Sequence, residues 1–92
     1  MTLLESSEID RRLKGGPWVR DADQIFRDLK LADFVAAMAF VQRVAEVAEA
    51  AGHHPDILVH GWNNVRLTLS THSQGGITEA DFALAAAIDG LT

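Results

Sequence analysis

Four histidines fall in the second half of the chain, at His53, His54, His60 and His72. Imidazole titrates close to neutral pH, so a histidine can donate or accept a proton during a reaction, and its neutral form binds metals. Glu49 lies four residues before His53, the spacing at which side chains meet on a helix, so a carboxylate can fix the tautomer of that imidazole. These residue types predict proton transfer or metal binding, provided that the fold brings them together.

The segment that follows the adjacent histidines predicts a β-hairpin. Two runs rich in β-forming residues, 56–62 and 65–72, flank Asn63 and Asn64, and asparagine tolerates the positive φ angles of a two-residue turn. In such a hairpin, the residues near position 55 lie opposite those near position 72. We therefore expect His72 to lie close to the adjacent histidines, so that three imidazoles converge.

Residues 33–51 carry the clearest helix pattern in the chain. The segment is rich in alanine and lacks glycine and proline, Asp33 is a suitable N-cap, and Gly52 is typical of the position just past a helix end. Two adjacent apolar stripes indicate burial against the core and against a second surface, such as another subunit; the alternative is that small alanines tolerate either environment. The stripes are Phe34, Met38, Val41, Ala45 and Ala48, and Phe40, Val44 and Val47.

The rest of the chain completes an α+β pattern. Residues 6–13 predict a short amphipathic helix, and residues 18–31 predict two short strands joined by a turn at 21–23. A final helix begins near Thr78, with Asp81 at capping-box spacing. The order α-β-β-α-β-β-α predicts a four-stranded antiparallel sheet with helices packed on one face.

Length and composition limit the classes of function. Ninety-two residues suffice for one hydrophobic core, so we expect a single domain over 1–92. The net charge of -5, from 13 acidic and 8 basic residues, opposes binding to nucleic acid. The lack of an apolar run of about 18 residues and of a leader-like amino terminus predicts no membrane association and a cytoplasmic location. Because the chain has no cysteine, a metal site would rest on histidines and carboxylates.

Each candidate residue also has a simpler explanation. We interpret His60, in the middle of a predicted strand, as structural. Asp81 can act as a helix cap alone. A metal site formed by His53, His54 and His72 is a further alternative, since three histidines and a water are a known zinc set. The chain lacks the H-E-x-x-H spacing, however, and we predict no metal.

Several short motifs follow one another along the chain and form one pattern. They are "EAAGHHPD" at 49–56, an aromatic residue at Trp62, "LTLSTH" ending at His72, and "TEADF" at 78–82. Upstream, "GPW", "IFRDLKLADF" and "AFVQRVA" extend the set over nearly the whole chain. Taken together, this sequence resembles the pterin-4a-carbinolamine dehydratase family.

The resemblance implies an α+β enzyme that removes water from 4a-hydroxytetrahydropterin and gives quinonoid dihydropterin during tetrahydropterin recycling. It implies that the pterin is the substrate and that no metal or organic cofactor is needed. The implied residues are, for catalysis, Glu49, His53, His54, His72 and Asp81, and, for substrate binding, His54, Trp62 and Thr71.

The chemistry of this reaction suits imidazoles. Loss of the hydroxyl needs an acid and loss of the ring N–H proton needs a base, and histidine can be either. We hypothesise that His53 and His72 share these proton transfers and that His54 binds or orients the pterin. Glu49 would orient His53, and Asp81 would both cap its helix and support a histidine.

The resemblance also leaves a non-enzymatic alternative, a dimerisation or assembly partner protein with the same fold. It implies a homodimer or homotetramer, and a further protein partner is unknown. The spacer "DILVHG" between Pro55 and Trp62 is one residue longer than another form found in the family. We therefore expect a β-bulge in this strand.

Overall fold

The computed structural model describes residues 2–92, and it confirms the predicted α+β fold and the predicted order of elements. A short 3₁₀-helix follows the last strand. The elements are α1 (Ser6–Leu13), β1 (Val19–Asp21), β2 (Gln24–Lys30), α2 (Phe34–Ala51), β3 (Asp56–His60), β4 (Asn64–Leu69), the 3₁₀-helix (His72–Gln74) and α3 (Glu79–Asp89).

The four strands form one antiparallel sheet in the order β1-β2-β4-β3, so β3 is an edge strand. Val65, Leu67 and Leu69 alternate along β4 with polar residues and are fully buried, because side chains of a strand point to opposite faces in turn. The three helices pack on this face and complete one core. Their main contributions are Ile9 from α1, Phe40 and Val44 from α2, and Leu84 and Ile88 from α3.

Both predicted ends of α2 are confirmed. The Oδ1 atom of Asp33 accepts a hydrogen bond of 2.8 Å from the Ala36 N–H. At the other end, Gly52 adopts φ 64°, and the N–H of His53 donates to the Ala48 carbonyl at 3.1 Å. This is the Schellman arrangement of a helix end. Because its own amide closes the helix, His53 is fixed in position relative to α2.

The two predicted apolar stripes of α2 do not divide into a buried one and an exposed one. Phe40 and Val44 of one stripe are buried, and so is Ala48 at the end of the other. Phe34 and Met38, in the first turns of that other stripe, are exposed. No helix within residues 2–92 has both the length and the hydropathy to cross a membrane.

The predicted turn of the β3–β4 hairpin is wrong. His60 pairs with Asn64, so the connection is the three-residue loop 61–63, and positive φ angles occur at Gly61 (53°) and Trp62 (58°). The loop is set by tertiary contacts of Asn63, which is buried. Its side-chain amide donates to the Leu31 carbonyl at 3.0 Å, and its backbone carbonyl accepts from the Leu31 N–H.

This loop changes the register and the end of the hairpin. β4 ends at Leu69 instead of His72, and position 56 lies opposite Thr68. The pairing of β3 is regular from Asp56 to His60, so the predicted bulge is also wrong. The longer spacer is accommodated in the loop, where Gly61 tolerates the left-handed conformation.

Candidate active site

His53 and Asp81 form a largely buried pair between the end of α2 and the start of α3. His53 Nε2 lies 2.6 Å from Asp81 Oδ1, with exposed side-chain fractions of 16% and 0%. A carboxylate only accepts hydrogen bonds, so the imidazole donates through Nε2 and leaves Nδ1 as an acceptor in its neutral form. The pair therefore fixes one tautomer of His53.

The other oxygen of Asp81 is held by two donors. Oδ2 accepts from the Thr71 hydroxyl at 2.8 Å and from the Thr78 backbone N–H at 2.9 Å. The second bond belongs to the capping box of α3, which the sequence predicted. Asp81 thus both caps α3 and bonds to a histidine, so both predicted contacts of Asp81 form.

Thr71 contributes to this network in a way that the sequence did not reveal. Its side chain is buried, and its hydroxyl lies 2.8 Å from the Thr78 hydroxyl as well as from Asp81. Because the single proton of Thr71 goes to the carboxylate, the Thr78 hydroxyl donates to Thr71. Both partners of the Thr71 hydroxyl are protein groups, and Thr71 also lines the cleft between the histidines. The structure therefore gives Thr71 a positioning contact, and its contact with a substrate stays a prediction.

His54 and Glu49 form a second pair, and this pair is exposed. His54 Nε2 lies 2.8 Å from Glu49 Oε1, and the exposed side-chain fractions are 68% and 73%. The predicted contact of Glu49 with His53 is therefore wrong. The i, i+4 rule applies within a helix, whereas Gly52 reverses the chain before His53 and turns that imidazole toward α3.

His72 reaches the other two histidines through a loop. It begins the 3₁₀-helix and is exposed, while the neighbouring Thr71 closes the loop by a β-bridge to Gly76. His53, His54 and His72 line one open cleft of about 210 Å³, which we call the histidine cleft. The predicted convergence of the three imidazoles is confirmed, although not through the predicted strand pairing.

Trp62 and His60 lie outside the histidine cleft. Trp62 occupies the loop 61–63, at the opposite end of β3 from His54, and the five residues of β3 span roughly 17 Å. The fold of one chain therefore does not bring Trp62 to the histidine cleft, contrary to the prediction. His60 lines a separate cleft with Lys30 and Asn64, which agrees with its exclusion from the predicted site.

A larger cleft of about 430 Å³ adjoins the first and lies between α2 and β3. We call it the α2–β3 cleft. His54 lines both clefts, and Ile57 and Ala45 form apolar parts of the larger one. Gln42 and Glu46 line it as well, and the sequence gave no reason to single them out, because they read as the solvated side of α2.

The ring nitrogens and carboxylates do not assemble into a metal centre. Within residues 2–92, no group of three or more histidine, aspartate or glutamate side chains could hold a metal ion together. His53 and His54 instead use one ring nitrogen each on different carboxylates. The arrangement is suited to proton transfer at a small cleft lined by three imidazoles.

Comparison with known proteins finds relatives that match nearly the whole chain. The family model described as pterin 4 alpha carbinolamine dehydratase matches residues 2–91. A Chloroflexus aurantiacus protein named "Putative pterin-4-alpha-carbinolamine dehydratase" is 54% identical over 90 residues, which are 97% of this chain and 96% of that protein. The Arabidopsis thaliana pterin-4-alpha-carbinolamine dehydratase 2, mitochondrial, is 40% identical over 93 residues, 99% of this chain and 50% of that protein.

Two solved structures share the fold. A transcriptional coactivator/pterin dehydratase from Brucella melitensis superposes with a TM-score of 0.90 at 32% identity, over 98% of both chains. A pterin dehydratase-like protein identified as a RuBisCO assembly factor in the alpha-carboxysome gives a TM-score of 0.65 at 27% identity, over 80% of this chain and 84% of that one. By family model, sequence and fold alike, the chain belongs to the pterin 4 alpha carbinolamine dehydratase family.

Proposed function

We propose that this protein, as one domain over 1–92, dehydrates 4a-hydroxytetrahydropterin to quinonoid dihydropterin by histidine acid–base catalysis, without a metal or organic cofactor. In this reaction the C4a–O bond and the N5–H bond break, a C4a=N5 double bond forms, and water leaves. The observation that carries the proposal is the histidine cleft, where the tautomer of His53 is held by buried Asp81 and where two further imidazoles lie. This step would serve the recycling of a tetrahydropterin.

The hydrogen bond to Asp81 supports assigning the base to His53. With Nε2 donating to the carboxylate, Nδ1 carries a lone pair that can accept the N5 proton. The imidazolium that forms would be stabilised by the carboxylate, as in other histidine–carboxylate pairs of enzymes.

The acid would then be His72, and His54 would orient the substrate. His72 is exposed at the rim of the histidine cleft, where an imidazolium can protonate the departing hydroxyl. His54 lies between the two clefts and is held by Glu49, so it can contact a pterin that spans both. In this scheme Glu49 orients His54, and Asp81 orients His53.

The test is a dehydration assay on 4a-hydroxytetrahydropterin generated in situ. We expect the protein to accelerate the loss of water, and His53→Ala and His72→Ala each to reduce kcat by about 10²- to 10⁴-fold, the usual contribution of general acid–base catalysis. His60→Ala, in a separate cleft, is the matched control and should keep the parental rate. Unchanged rates in both active-site variants would overturn the assignment.

The second candidate function is that of a partner protein, and the exposed apolar surface favours it. Phe34, Val35 and Met38 on α2 and Leu58 on the edge strand β3 are exposed. Large exposed apolar side chains beside an open strand edge are suited to association with a second copy of this chain. We expect a homodimer or homotetramer, which sedimentation at micromolar concentration would detect; a monomer at all concentrations would contradict it.

The two candidate functions are separable by experiment. Met38→Glu should weaken self-association, because it places a charge on the apolar surface, and it lies on α2 well before the histidine cleft. Loss of assembly with retained dehydration would show that the two properties use different surfaces.

A cytoplasmic location stays a prediction from the sequence, which fractionation of the source cells would check.

A further inference from the structure

The two clefts that share His54 differ in chemical character. The histidine cleft is lined by imidazoles and hydroxyl side chains, including that of Ser73. The α2–β3 cleft has apolar residues and two carboxylates, those of Glu46 and Glu49, and no lysine or arginine among the residues that line it. A substrate that spans both clefts would therefore have its reacting edge at the imidazoles and its other end beside negative charge.

We propose that the α2–β3 cleft receives the C6 substituent of the pterin, and that Glu46 selects against substituents that carry negative charge. The inference rests on the proposed function for the orientation of the ring. It names a specificity-determining residue, Glu46, and the kind of C6 substituent that this residue disfavours.

The orientation follows from the groups along the reacting edge of the pterin. The C4 carbonyl, the C4a hydroxyl, N5 and C6 lie in this order, so the carbonyl and the C6 substituent point to opposite sides of the reacting centre. A carbonyl oxygen needs a hydrogen-bond donor and is disfavoured beside carboxylates. The hydroxyl of Ser73 lies in the histidine cleft, whereas Glu46 and Glu49 line the other. The carbonyl therefore belongs in the histidine cleft and the C6 substituent in the α2–β3 cleft.

The volumes agree with this orientation. The histidine cleft, of about 210 Å³, has room for the reacting edge of a pterin, and the α2–β3 cleft, of about 430 Å³, has room for a substituent of variable size. Gln42, four residues before Glu46 on the same helix, offers both a donor and an acceptor to hydroxyl groups.

Glu46 is the carboxylate of this cleft that has no bonded partner among residues 2–92. Glu49, in contrast, is hydrogen-bonded to His54. The neighbouring Arg43 does not compensate, because its guanidinium lies over the ring of Phe40 and donates to the Leu91 carbonyl. At an exposed site, one charge repels another by an amount that corresponds to about threefold to tenfold in affinity.

The test compares the binding of two 7,8-dihydropterins that do not react, one with a dihydroxypropyl group at C6 and one with the phosphorylated form of the same group. We expect the protein to bind the neutral ligand about threefold to tenfold more tightly at low salt. Glu46→Gln should reduce this ratio toward one, and Glu46→Lys should reverse it. The ratio should also shrink as salt is added, because the Debye length falls from about 10 Å at 0.1 M to about 3 Å at 1 M.

Glu5→Gln and Glu5→Lys are the charge-matched controls. Glu5 is exposed, makes no capping bond with its side chain, and precedes α1, which packs against β1 at the sheet edge opposite β3. These variants should leave the ratio as it is in the parent protein. In the dehydration assay, the Glu46 variants should change the ratio of KM for the charged 4a-hydroxy substrate to KM for the neutral one, whereas the Glu5 variants should leave that ratio as it is in the parent protein.

Each outcome supports or overturns the role of Glu46, the proposed dehydration, or both. Equal affinities for the two ligands, or a ratio that Glu46→Lys does not move, overturn the inference even where dehydration is observed. A ratio that depends on Glu46 in a protein without dehydration activity supports the cleft assignment and overturns the proposed reaction. A protein that binds neither ligand overturns both.

Discussion

Two adjacent histidines of this protein each bond to a carboxylate, yet the two pairs differ in their surroundings. The Nε2–oxygen distances are 2.6 Å for His53–Asp81 and 2.8 Å for His54–Glu49. Asp81 is completely buried and accepts three hydrogen bonds, whereas the His54–Glu49 pair is mostly exposed. Two hydrogen bonds of similar length therefore lie in different environments, one buried and one exposed to solvent.

This difference indicates which of the two carboxylates can hold its imidazole firmly in one orientation. An exposed ion pair contributes little because water and salt screen it and both side chains lose rotamer freedom. A buried carboxylate is costly to desolvate and is tolerated only when its oxygens are well bonded, so removing one partner has a large effect. Asp81 meets this condition through groups from three parts of the chain: His53, Thr71 and Thr78.

The largest expected effect is on activity, in Asp81→Asn. The amide of asparagine can donate to Nε2 of His53, which moves the ring proton to Nδ1 and removes the acceptor that the base needs. We expect kcat for dehydration to fall by about 10²- to 10⁴-fold. The kcat of the exposed counterpart, Glu49→Gln, should fall by much less in the same assay. Equal losses in the two variants would show that burial of the pair is irrelevant to its role.

The second effect is on stability, in Asp81→Ala. This change leaves His53, Thr71 and the Thr78 N–H without their acceptor, and we expect the free energy of unfolding to fall by about 3–5 kcal/mol. Glu49→Ala, at the exposed pair, should cost less than about 1 kcal/mol. Urea denaturation followed by circular dichroism measures both, and a similar cost at the two sites would contradict the comparison.

A smaller effect is expected from Thr71→Val, which keeps the shape of the side chain and removes its hydroxyl. Asp81 would lose one donor and the Thr78 hydroxyl one acceptor, so the free energy of unfolding should fall by about 1–3 kcal/mol. Thr71→Ser is the matched control, because it retains the hydroxyl. If valine and serine were equally tolerated, Thr71 would have no part in holding the carboxylate.

The smallest effect concerns a surface ion-pair network around Glu8, a carboxylate whose side chain is 31% exposed. Hydrogen bonds from Arg11, and then from Arg12, lower the pKa of Glu8 from its ordinary 4.5 to about 2. Because the folded-state pKa is lowered, the stabilisation is present above pH 4.5 and is lost as the pH falls toward 2.

Glu8→Gln tests this point. The melting temperature of the variant should lie slightly below that of the parent protein at pH 7, and the gap should close between pH 4.5 and about 2. Added salt should narrow the gap at pH 7 as well, because exposed charges are screened. A gap that is independent of both pH and salt would mean that the ion pairs of Glu8 contribute nothing.

The amino-acid sequence by itself determined the order of the elements and the capping of the two long helices. The Asp33 cap, the Gly52 stop and the Thr78–Asp81 capping box were all predicted and all form. Each depends on groups within a few residues of one another, so local backbone chemistry decides the outcome.

The sequence also predicted that three histidines converge, but for a reason that was partly wrong. The hairpin register is shifted by three residues from the predicted one, and the turn at 70–76 restores the position of His72. Register depends on where Asn63 is buried against Leu31, thirty-two positions away in the chain. No local pattern contains that information.

Only the tertiary structure decided which carboxylate holds which imidazole. Spacing along α2 favoured Glu49 for His53, whereas Asp81, from a helix that begins 26 residues after His53, takes that place. The same packing buried Phe40 and Val44 of α2 and left Phe34 and Met38 exposed. Residue types and spacing determine which groups can meet within an element; desolvation and close packing between elements determine which of them do meet.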